Sequence, residues 1–189
     1  IQDEMMPQSA ILRTEIKKCS VGQNDSSIYF MNGSWIKTRT SSSNSRSARA
    51  NIIVVDEFRM VDKIILDTVI RKFLGNPRHP KYLDKPEYKH MSERNSEVYM
   101  SSAWMKDHWS WQKAVAYTKN FFIDSKKYFI CGLPVELSLL EGLLMRSQVE
   151  DEMSESDFSQ FAWDMEMECL WFGDGEGSFF RFDDFNKMR

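Results

Sequence analysis

The segment Asn51-Ile52-Ile53-Val54-Val55-Asp56-Glu57 decides how this chain is interpreted. Its four apolar residues, all β-branched, lead directly into two adjacent carboxylates. A short apolar run of this kind is typical of a strand buried on both faces, as in a parallel sheet covered by helices. Open α/β sheets bind their ligands at the carboxyl ends of such strands. Asp56 and Glu57 are therefore predicted to lie at a ligand-binding edge; the alternative is a structural strand whose acids only open the next loop.

Asp56 and Glu57 also match the chemistry of phosphoryl transfer. Such sites use one carboxylate to hold Mg²⁺ and a second group to orient the attacking water. An apolar strand that ends in Asp-Glu is therefore a candidate Walker B motif.

The sequence contains no Walker A motif to accompany this strand. The segment Gly33-Ser34-Trp35-Ile36-Lys37-Thr38 ends in Lys-Thr, but Ile36 stands where a P-loop needs a glycine before the lysine. A hairpin strand explains this segment better, and no other segment has the P-loop pattern.

Composition narrows the class of protein. The chain has 189 residues, of which 42% are hydrophobic, so a globular fold with one domain is the default expectation. A net charge of −3 gives no general reason to expect a nucleic-acid-binding protein. The cysteines are far apart and form no CxxC pair, which indicates reduced thiols and no zinc site. The sequence shows no signal peptide, and because it begins with Ile1 it is expected to be a piece of a longer protein.

Local patterns predict the remaining elements. Asn32-Gly33 between two strand-like runs is a strong hairpin signal. The predicted elements are a helix at Pro7–Ile16, hairpin strands at Ser27–Met31 and Trp35–Thr38, a helix at Val61–Phe73, a surface loop at 76–95, a strand at Val98–Met100, a helix at Trp104–Asn120, a core strand at Lys127–Cys131, helices at Leu137–Val149 and Ser154–Leu170, and a strand or linker start at Ser178–Phe182.

The loop of residues 39–50 is serine-rich and carries Arg39, Arg46 and Arg49 but no acid. Such a composition is typical of a solvated, mobile connection. Its position directly before the candidate Walker B strand favours the alternative that it faces an anion.

In their order and spacing, these landmarks resemble the large terminase subunit of tailed bacteriophages, the ATPase-nuclease that moves DNA into a preformed capsid. The family pattern is an apolar strand with Asn-Gly-Ser, an arginine-containing loop, a Walker B strand and a short Ser/Thr-rich coupling motif. The matching segments are Ile28–Ile36, Arg46, Ile52–Glu57 and Ser101-Ser102-Ala103, followed by Phe158–Cys169, which is similar to an aromatic- and glutamate-rich helix of the family. The resemblance covers almost the whole chain; one departure is Ser47, which replaces the usual glycine after the arginine.

The resemblance implies an α/β fold: part of a P-loop NTPase of the RecA-like type, with a mostly parallel sheet flanked by helices, a β-hairpin and a helical carboxyl-terminal part. Residues 1–172 would form the second half of the ATPase domain without its Walker A segment. Residues 173–189 would form a linker toward a nuclease domain absent from this chain.

The resemblance also implies cofactors, partners and a location. The intact protein would use ATP and Mg²⁺ to move viral DNA into the procapsid. Its partners would be double-stranded DNA, the portal protein, the small terminase subunit and further copies of itself in a ring, expected to be a pentamer. It would work in the host cytoplasm, transiently at the portal vertex of the procapsid.

Individual roles follow from the same resemblance. Asp56 would hold Mg²⁺, and Glu57 would activate the attacking water. Ser101 and Ser102 would sense the γ-phosphate. Arg46, or alternatively Arg49, would supply charge to the nucleotide of a neighbouring subunit. Because the phosphate cradle is missing, the chain alone is expected to bind Mg·ATP weakly or not at all and to be inactive.

Two alternatives remain open at this point. The first is another P-loop NTPase such as a helicase, although helicases usually follow Asp-Glu with Ala/Cys-His or Ala-Asp, and this chain has Phe58-Arg59. The second is a non-enzymatic interaction module in which the Asp-Glu strand is structural and the acidic carboxyl-terminal third docks a partner.

Overall fold

A computed structural model describes residues 4–22 and 25–173 of the chain. The element predicted at Ser178–Phe182, and the predicted linker after residue 173, lie outside the described residues. The chain divides into two compact units. The first consists of Ile1–Ile53 and Asp62–Glu97, and the second of Val54–Val61 and Val98–Arg189.

The first unit begins with two short helices and a three-stranded antiparallel sheet. The helices are α1 (Met5–Gln8) and α2 (Ala10–Glu15), and the strands are β1 (Ile16–Val21), β2 (Ser26–Phe30) and β3 (Trp35–Lys37), in the sheet order β1-β2-β3. The predicted hairpin is confirmed as the pair β2–β3. Gly33 has a φ of +85° in its turn, and the side chain of Asn32 accepts a hydrogen bond from the Ser34 amide at 2.9 Å.

The predicted helix at Pro7–Ile16 is instead two short helices separated at Ser9. The Ser9 side chain accepts a hydrogen bond from the Leu12 amide and so caps α2.

The core of the first unit forms around the next helical segment. Helix α3 (Lys63–Thr68) begins after Asp62, whose carboxylate accepts hydrogen bonds from the amides of Ile64 and Ile65. A 3₁₀ helix at Ile70–Gly75 follows, so the predicted single helix is divided. The predicted surface loop contains two further 3₁₀ helices, Lys81–Asp84 and Pro86–Met91, and the serine-rich loop contains one at Ser43–Ser45. Buried apolar side chains of this unit are Ile53, Leu66, Val69, Ile70, Phe73 and Leu83.

Strands β4 (Ile52–Val55) and β5 (Ser96–Tyr99) form a two-stranded sheet. The amide of Ser96 donates to the carbonyl of Asn51, and the amide of Met100 donates to the carbonyl of Val55. Donors and acceptors advance in the same direction, so the strands are parallel. Both predicted strands are confirmed. The described strands are otherwise antiparallel, so the mostly parallel sheet of a P-loop fold stays a prediction.

Burial of β4 differs from the expectation. Ile53 and Val55 are 6% and 7% exposed, whereas Ile52 and Val54 are 63% and 58% exposed. The prediction that this strand is buried on both faces is wrong for the described residues, because side chains alternate across a strand and only one face is covered here.

The second unit contains the remaining helices. They are α4 (Trp109–Ile123), α5 (Val135–Leu140), α6 (Arg146–Met153) and α7 (Gln160–Glu166), together with a 3₁₀ helix at Phe58–Met60. Helix α4 begins later than predicted, because the His108 side chain accepts a hydrogen bond from the Ser110 amide and caps it there. The predicted helix at Leu137–Val149 is interrupted near Gly142, whose φ is +68°.

The core strand predicted at Lys127–Cys131 is wrong. The chain forms a turn after α4, in which the amides of Lys127 and Tyr128 donate to the carbonyl of Asp124. Phe129 is 72% exposed. The apolar run is short, and this turn satisfies part of its backbone without a neighbouring strand.

Main-chain hydrogen bonds join distant parts of the second unit. The Ala103 amide donates to the Met165 carbonyl, and the Val135 amide donates to the Met167 carbonyl. Buried side chains of this unit are Val55, Phe58, Val61, Ala103, Ser110, Val135, Trp163 and Met165. No helix in the described part of the chain is long and apolar enough to cross a membrane.

Candidate functional site

The two candidate carboxylates directly follow β4 and belong to the second unit. Asp56 is exposed, and its Oδ1 accepts a hydrogen bond from the Glu57 amide at 3.1 Å. Glu57 has φ 44° and ψ 47°, which is the left-handed helical region. A residue with a Cβ atom adopts this conformation at a cost of about 1–2 kcal/mol.

Glu57 lies in the turn between β4 and the 3₁₀ helix at Phe58–Met60, and its left-handed conformation begins that helix. The amide of Phe58 donates to the carbonyl of Met100, at the end of β5, at 3.1 Å. The Phe58 side chain is buried and packs edge-on against Tyr99 and Trp109. The surrounding core therefore holds Glu57 in a conformation that its own side chain disfavours. Backbone outliers of this kind cluster at functional sites.

The segment after β5 reaches the same carboxylate. Ser101 Oγ donates a hydrogen bond to Glu57 Oε2 at 3.3 Å. The structure thus brings together Glu57 and the first residue of Ser101–Ala103, the segment predicted to be a coupling motif.

Arg59 lies at the centre of this site, although no sequence motif points to it. Its side chain is only 10% exposed. Nη1 donates to the Ala103 carbonyl at 2.9 Å, and Nη2 donates to Glu166 Oε1 at 2.5 Å. The guanidinium carbon lies 4.4 Å from the centre of the Trp104 ring. Nothing in the sequence signals this burial, because arginine is usually exposed.

Arg59 also faces the candidate catalytic carboxylate. Its Nε lies 3.6 Å from Glu57 Oε2 and has no hydrogen-bond partner among the described residues. Two groups, Ser101 Oγ and Arg59 Nε, therefore approach the same oxygen atom of Glu57.

Glu166, at the end of α7, is the second carboxylate that contacts Arg59. Partial burial alone would raise its pKa, but hydrogen bonds from Ser102 and Arg59, together with the positive charge of Arg59, lower the pKa below its ordinary value. Glu166 is therefore ionised near neutral pH and anchors the guanidinium. Ser102 contacts Glu166 rather than Glu57, so the two predicted phosphate-sensing serines have different partners.

Arg46 and Arg49, the two candidates for an arginine finger that supplies charge to a neighbouring subunit's nucleotide, belong to the first unit. Arg46 is exposed, ends the 3₁₀ helix of the serine-rich loop, and forms no ion pair within residues 4–22 and 25–173. Arg49 Nη1 donates to the carbonyls of Arg46 and Ala48, at 3.5 and 2.8 Å.

Arg49 also lines an open cavity of about 390 Å³ together with Trp35, Arg78 and His79. Arg78 pairs with Glu93 at 3.1 Å, and His79 contacts Asp84 at 3.0 Å. Glu93 therefore offsets the charge of Arg78, and the shape of the cavity by itself assigns no ligand.

Asp56 is the only predicted metal ligand. The described residues contain no cluster of three or more His, Cys, Asp or Glu side chains that could enclose a metal ion. Mg²⁺ in phosphoryl-transfer sites is bound through one or two carboxylates together with phosphate oxygens and waters. A single exposed carboxylate therefore fits the donor chemistry of Mg²⁺ delivered with a nucleotide, and it does not fit a metal held by protein side chains alone.

Comparisons of the chain with protein-family models, with curated proteins and with solved structures found no match.

Proposed function

We propose that this chain is part of the large terminase subunit of a tailed bacteriophage, namely the second half of the ATPase domain that drives viral DNA into the procapsid. One observation carries the proposal: Glu57 follows β4, Ser101 follows the parallel neighbour β5, and Ser101 Oγ lies 3.3 Å from Glu57 Oε2. Neighbouring parallel strands end at one edge of a sheet, where α/β proteins bind nucleotides.

Asp56 and Glu57 have different roles in the proposed ATP hydrolysis. Asp56 would hold Mg²⁺, and the metal would supply positive charge to the phosphates of a bound ATP. Glu57 orients the attacking water and accepts its proton. The left-handed backbone of Glu57 supports this role, since strain is retained where the surrounding structure fixes a functional side chain.

Ser101 links the state of the nucleotide to the protein. Its hydroxyl donates to Glu57, and a hydroxyl can turn to a γ-phosphate oxygen without moving the backbone. Ser102 contacts Glu166, so loss of phosphate contacts at Ser101 reaches α7 through the next residue.

Arg46 is proposed as the finger that acts on a neighbouring subunit. It is exposed on the serine-rich loop and forms no ion pair in the described part of the chain, so its charge is available to a nucleotide on another copy. This role requires a ring of subunits, here proposed as a pentamer. The remaining proposed partners are double-stranded DNA, the portal protein and the small terminase subunit. The proposed place of action is the host cytoplasm, transiently at the portal vertex.

The test uses the protein extended upstream to include a phosphate-binding segment. Glu57→Gln keeps the shape of the side chain but removes the base, so ATP should bind normally while hydrolysis falls on the order of 10²–10⁴-fold. Asp56→Asn should instead weaken Mg²⁺-dependent binding. Glu141→Gln is the matched control, since Glu141 is exposed and makes no ion pair among the described residues, and it should change neither quantity.

Three outcomes contradict the proposal. Normal hydrolysis by Glu57→Gln removes the Walker B assignment. Saturable micromolar binding of Mg·ATP to the 189-residue chain alone, measured by calorimetry, means that the nucleotide site lies elsewhere. No nucleotide binding by the extended protein favours the non-enzymatic interaction module.

The protein extended upstream also tests whether Arg46 acts as an arginine finger. Arg46→Ala should lower stimulated hydrolysis by about 10³–10⁵-fold. Mixing Arg46→Ala with Glu57→Gln subunits should restore part of the activity, because a Glu57→Gln subunit can supply its intact Arg46 to a neighbour. If mixed rings form and remain inactive, Arg46 does not act between subunits.

A further inference from the structure

We propose that Arg59 is a positioning residue for the carboxylate of Glu57, and that through Arg59 this carboxylate depends on α7 and on the segment Ser101–Ala103. This inference rests on the proposed function, since it presupposes that Glu57 acts on a water molecule. The supporting geometry lies entirely within the second unit.

The two terminal nitrogens of the Arg59 guanidinium, Nη1 and Nη2, are held by hydrogen bonds. Arginine keeps its charge at any physiological pH, so a side chain that is 10% exposed needs compensating partners. Glu166 supplies one at 2.5 Å, and the Ala103 carbonyl supplies another at 2.9 Å. The guanidinium carbon lies over the ring of Trp104, 4.4 Å from the ring centre. These contacts leave the group little freedom to rotate.

Nε, the guanidinium nitrogen nearest the backbone of Arg59, lacks a hydrogen-bond partner among the described residues. This nitrogen is buried. Its distance of 3.6 Å from Glu57 Oε2 is too long for a hydrogen bond but close for opposite charges. A shift of Glu57 by less than 1 Å would close this gap and satisfy a buried donor, whose unmet bond costs about 1–3 kcal/mol.

Ser101 and Arg59 therefore act in sequence on one oxygen atom. With Ser101 Oγ at 3.3 Å, Glu57 Oε2 is shared between a hydroxyl and a guanidinium. When the hydroxyl turns to a phosphate, Arg59 Nε remains as the partner that holds the carboxylate in place. The left-handed backbone at Glu57 brings the carboxylate back toward Arg59, two residues further along the chain.

The first experiment measures ATP hydrolysis by Arg59→Lys in the protein extended upstream. Lysine keeps the charge but loses the planar fork and the stacking on Trp104. We expect kcat to fall about 10–100-fold, as for a catalytic group displaced by about 1 Å, while KM for ATP stays within about 2-fold. Arg78→Lys is the matched control, because Arg78 forms a single ion pair at the surface, with a side chain that is 53% exposed, and it should leave kcat unchanged.

Repeating the Arg59→Lys substitution in the Glu57→Gln variant separates a positioning effect from a general loss of structure. In Glu57→Gln the base is absent, so adding Arg59→Lys should cause no further fall in single-turnover rate. A purely structural effect would lower the rate by the same factor in both backgrounds. If Arg59→Lys fails to fold, Glu166→Gln replaces it. We expect this substitution to release the far end of the guanidinium and lower kcat about 3–10-fold at unchanged KM.

The results also separate the two proposals. If Glu57→Gln abolishes hydrolysis but Arg59→Lys and Glu166→Gln retain normal kcat, the positioning role is wrong and the proposed function stands. An equal fall in both backgrounds likewise overturns the positioning role. If Glu57→Gln hydrolyses ATP normally, or if the extended protein hydrolyses none, both proposals fail together.

Discussion

The left-handed backbone of Glu57 leads to a prediction that needs only the 189-residue chain. Glu57→Gly and Glu57→Ala both remove the carboxylate and its contacts with Ser101 and Arg59. They differ in the backbone, since glycine adopts a φ of 44° without a steric penalty and alanine does not. We expect Glu57→Gly to be the more stable variant, whereas at most positions alanine is favoured over glycine.

The magnitude follows from two opposing contributions. A residue with a Cβ atom in the left-handed region costs about 1–2 kcal/mol. Glycine loses about 0.5–1 kcal/mol more conformational free energy on folding than alanine. The central values of these two contributions differ by about 0.75 kcal/mol, so Glu57→Gly should be the more stable variant by about that amount. The lost carboxylate contacts are the same in both variants and cancel.

Urea unfolding, followed by tryptophan fluorescence, measures this difference in stability for the second structural unit. All tryptophans except Trp35 belong to the second unit, which also contains Glu57. With a denaturant dependence of about 2–3 kcal/mol per molar urea, the midpoint of Glu57→Gly should exceed that of Glu57→Ala by about 0.2–0.5 M.

Asp56 provides the matched control, because its backbone does not have a positive φ. There the order should reverse, with Asp56→Ala more stable than Asp56→Gly by about 0.4–1 kcal/mol. If Glu57→Ala equals or exceeds Glu57→Gly in midpoint, the left-handed conformation at Glu57 does not exist in solution, and the strain argument fails.

Two further predictions concern the same unit. Because hydrogen bonds and charge lower the pKa of Glu166 from its ordinary value of 4.5, its ionised form stabilises the folded state above that pH, and this contribution is lost as the pH falls through the lower folded-state pKa. At neutral pH the unsubstituted chain should therefore be more stable than Glu166→Gln. Urea midpoints measured in a pH series should show this difference in stability shrinking below about pH 4.5. A difference that stays constant into acid contradicts the role of Glu166 as an ionised anchor. Trp163 is 5% exposed, so Trp163→Ala should reduce the free energy of unfolding by about 3–5 kcal/mol. Phe122 is 82% exposed, and Phe122→Ala is the control, with an expected change below about 0.5 kcal/mol. Similar losses in both variants would contradict the assigned core.

Features of the chain that depend on neighbours in sequence were predictable. The hairpin at Asn32-Gly33 follows from a turn that only a few residue types adopt easily. The strand before Asp56-Glu57 follows from a run of β-branched residues, and β5 follows from a similar short apolar run. The existence of most helices was predictable for the same reason, although their ends depended on caps such as His108, which rarely plays this part.

Burial and pairing were decided by the tertiary structure. The run Lys127–Cys131 has strand-like composition, but no strand lies beside it in the described residues, and it remains irregular. Residues Ile52 and Val54 are as apolar as their buried neighbours, yet their side chains stay exposed because one face of β4 is uncovered. The composition of a segment indicates its preference for the strand conformation. Whether a neighbouring strand is present to pair with it depends on other parts of the chain.

The sequence by itself placed Asp56 and Glu57 at the end of a strand, and a family resemblance added the untested prediction that Ser101 senses a phosphate. Only the tertiary structure placed Arg59 between Glu57 and Glu166, which are 2 and 107 residues away along the chain. The left-handed backbone of Glu57 likewise arises because Phe58 must enter the core while its amide bonds to the end of β5. No local pattern encodes such contacts, because they depend on where remote elements pack, and the chemistry of this site is fixed by them.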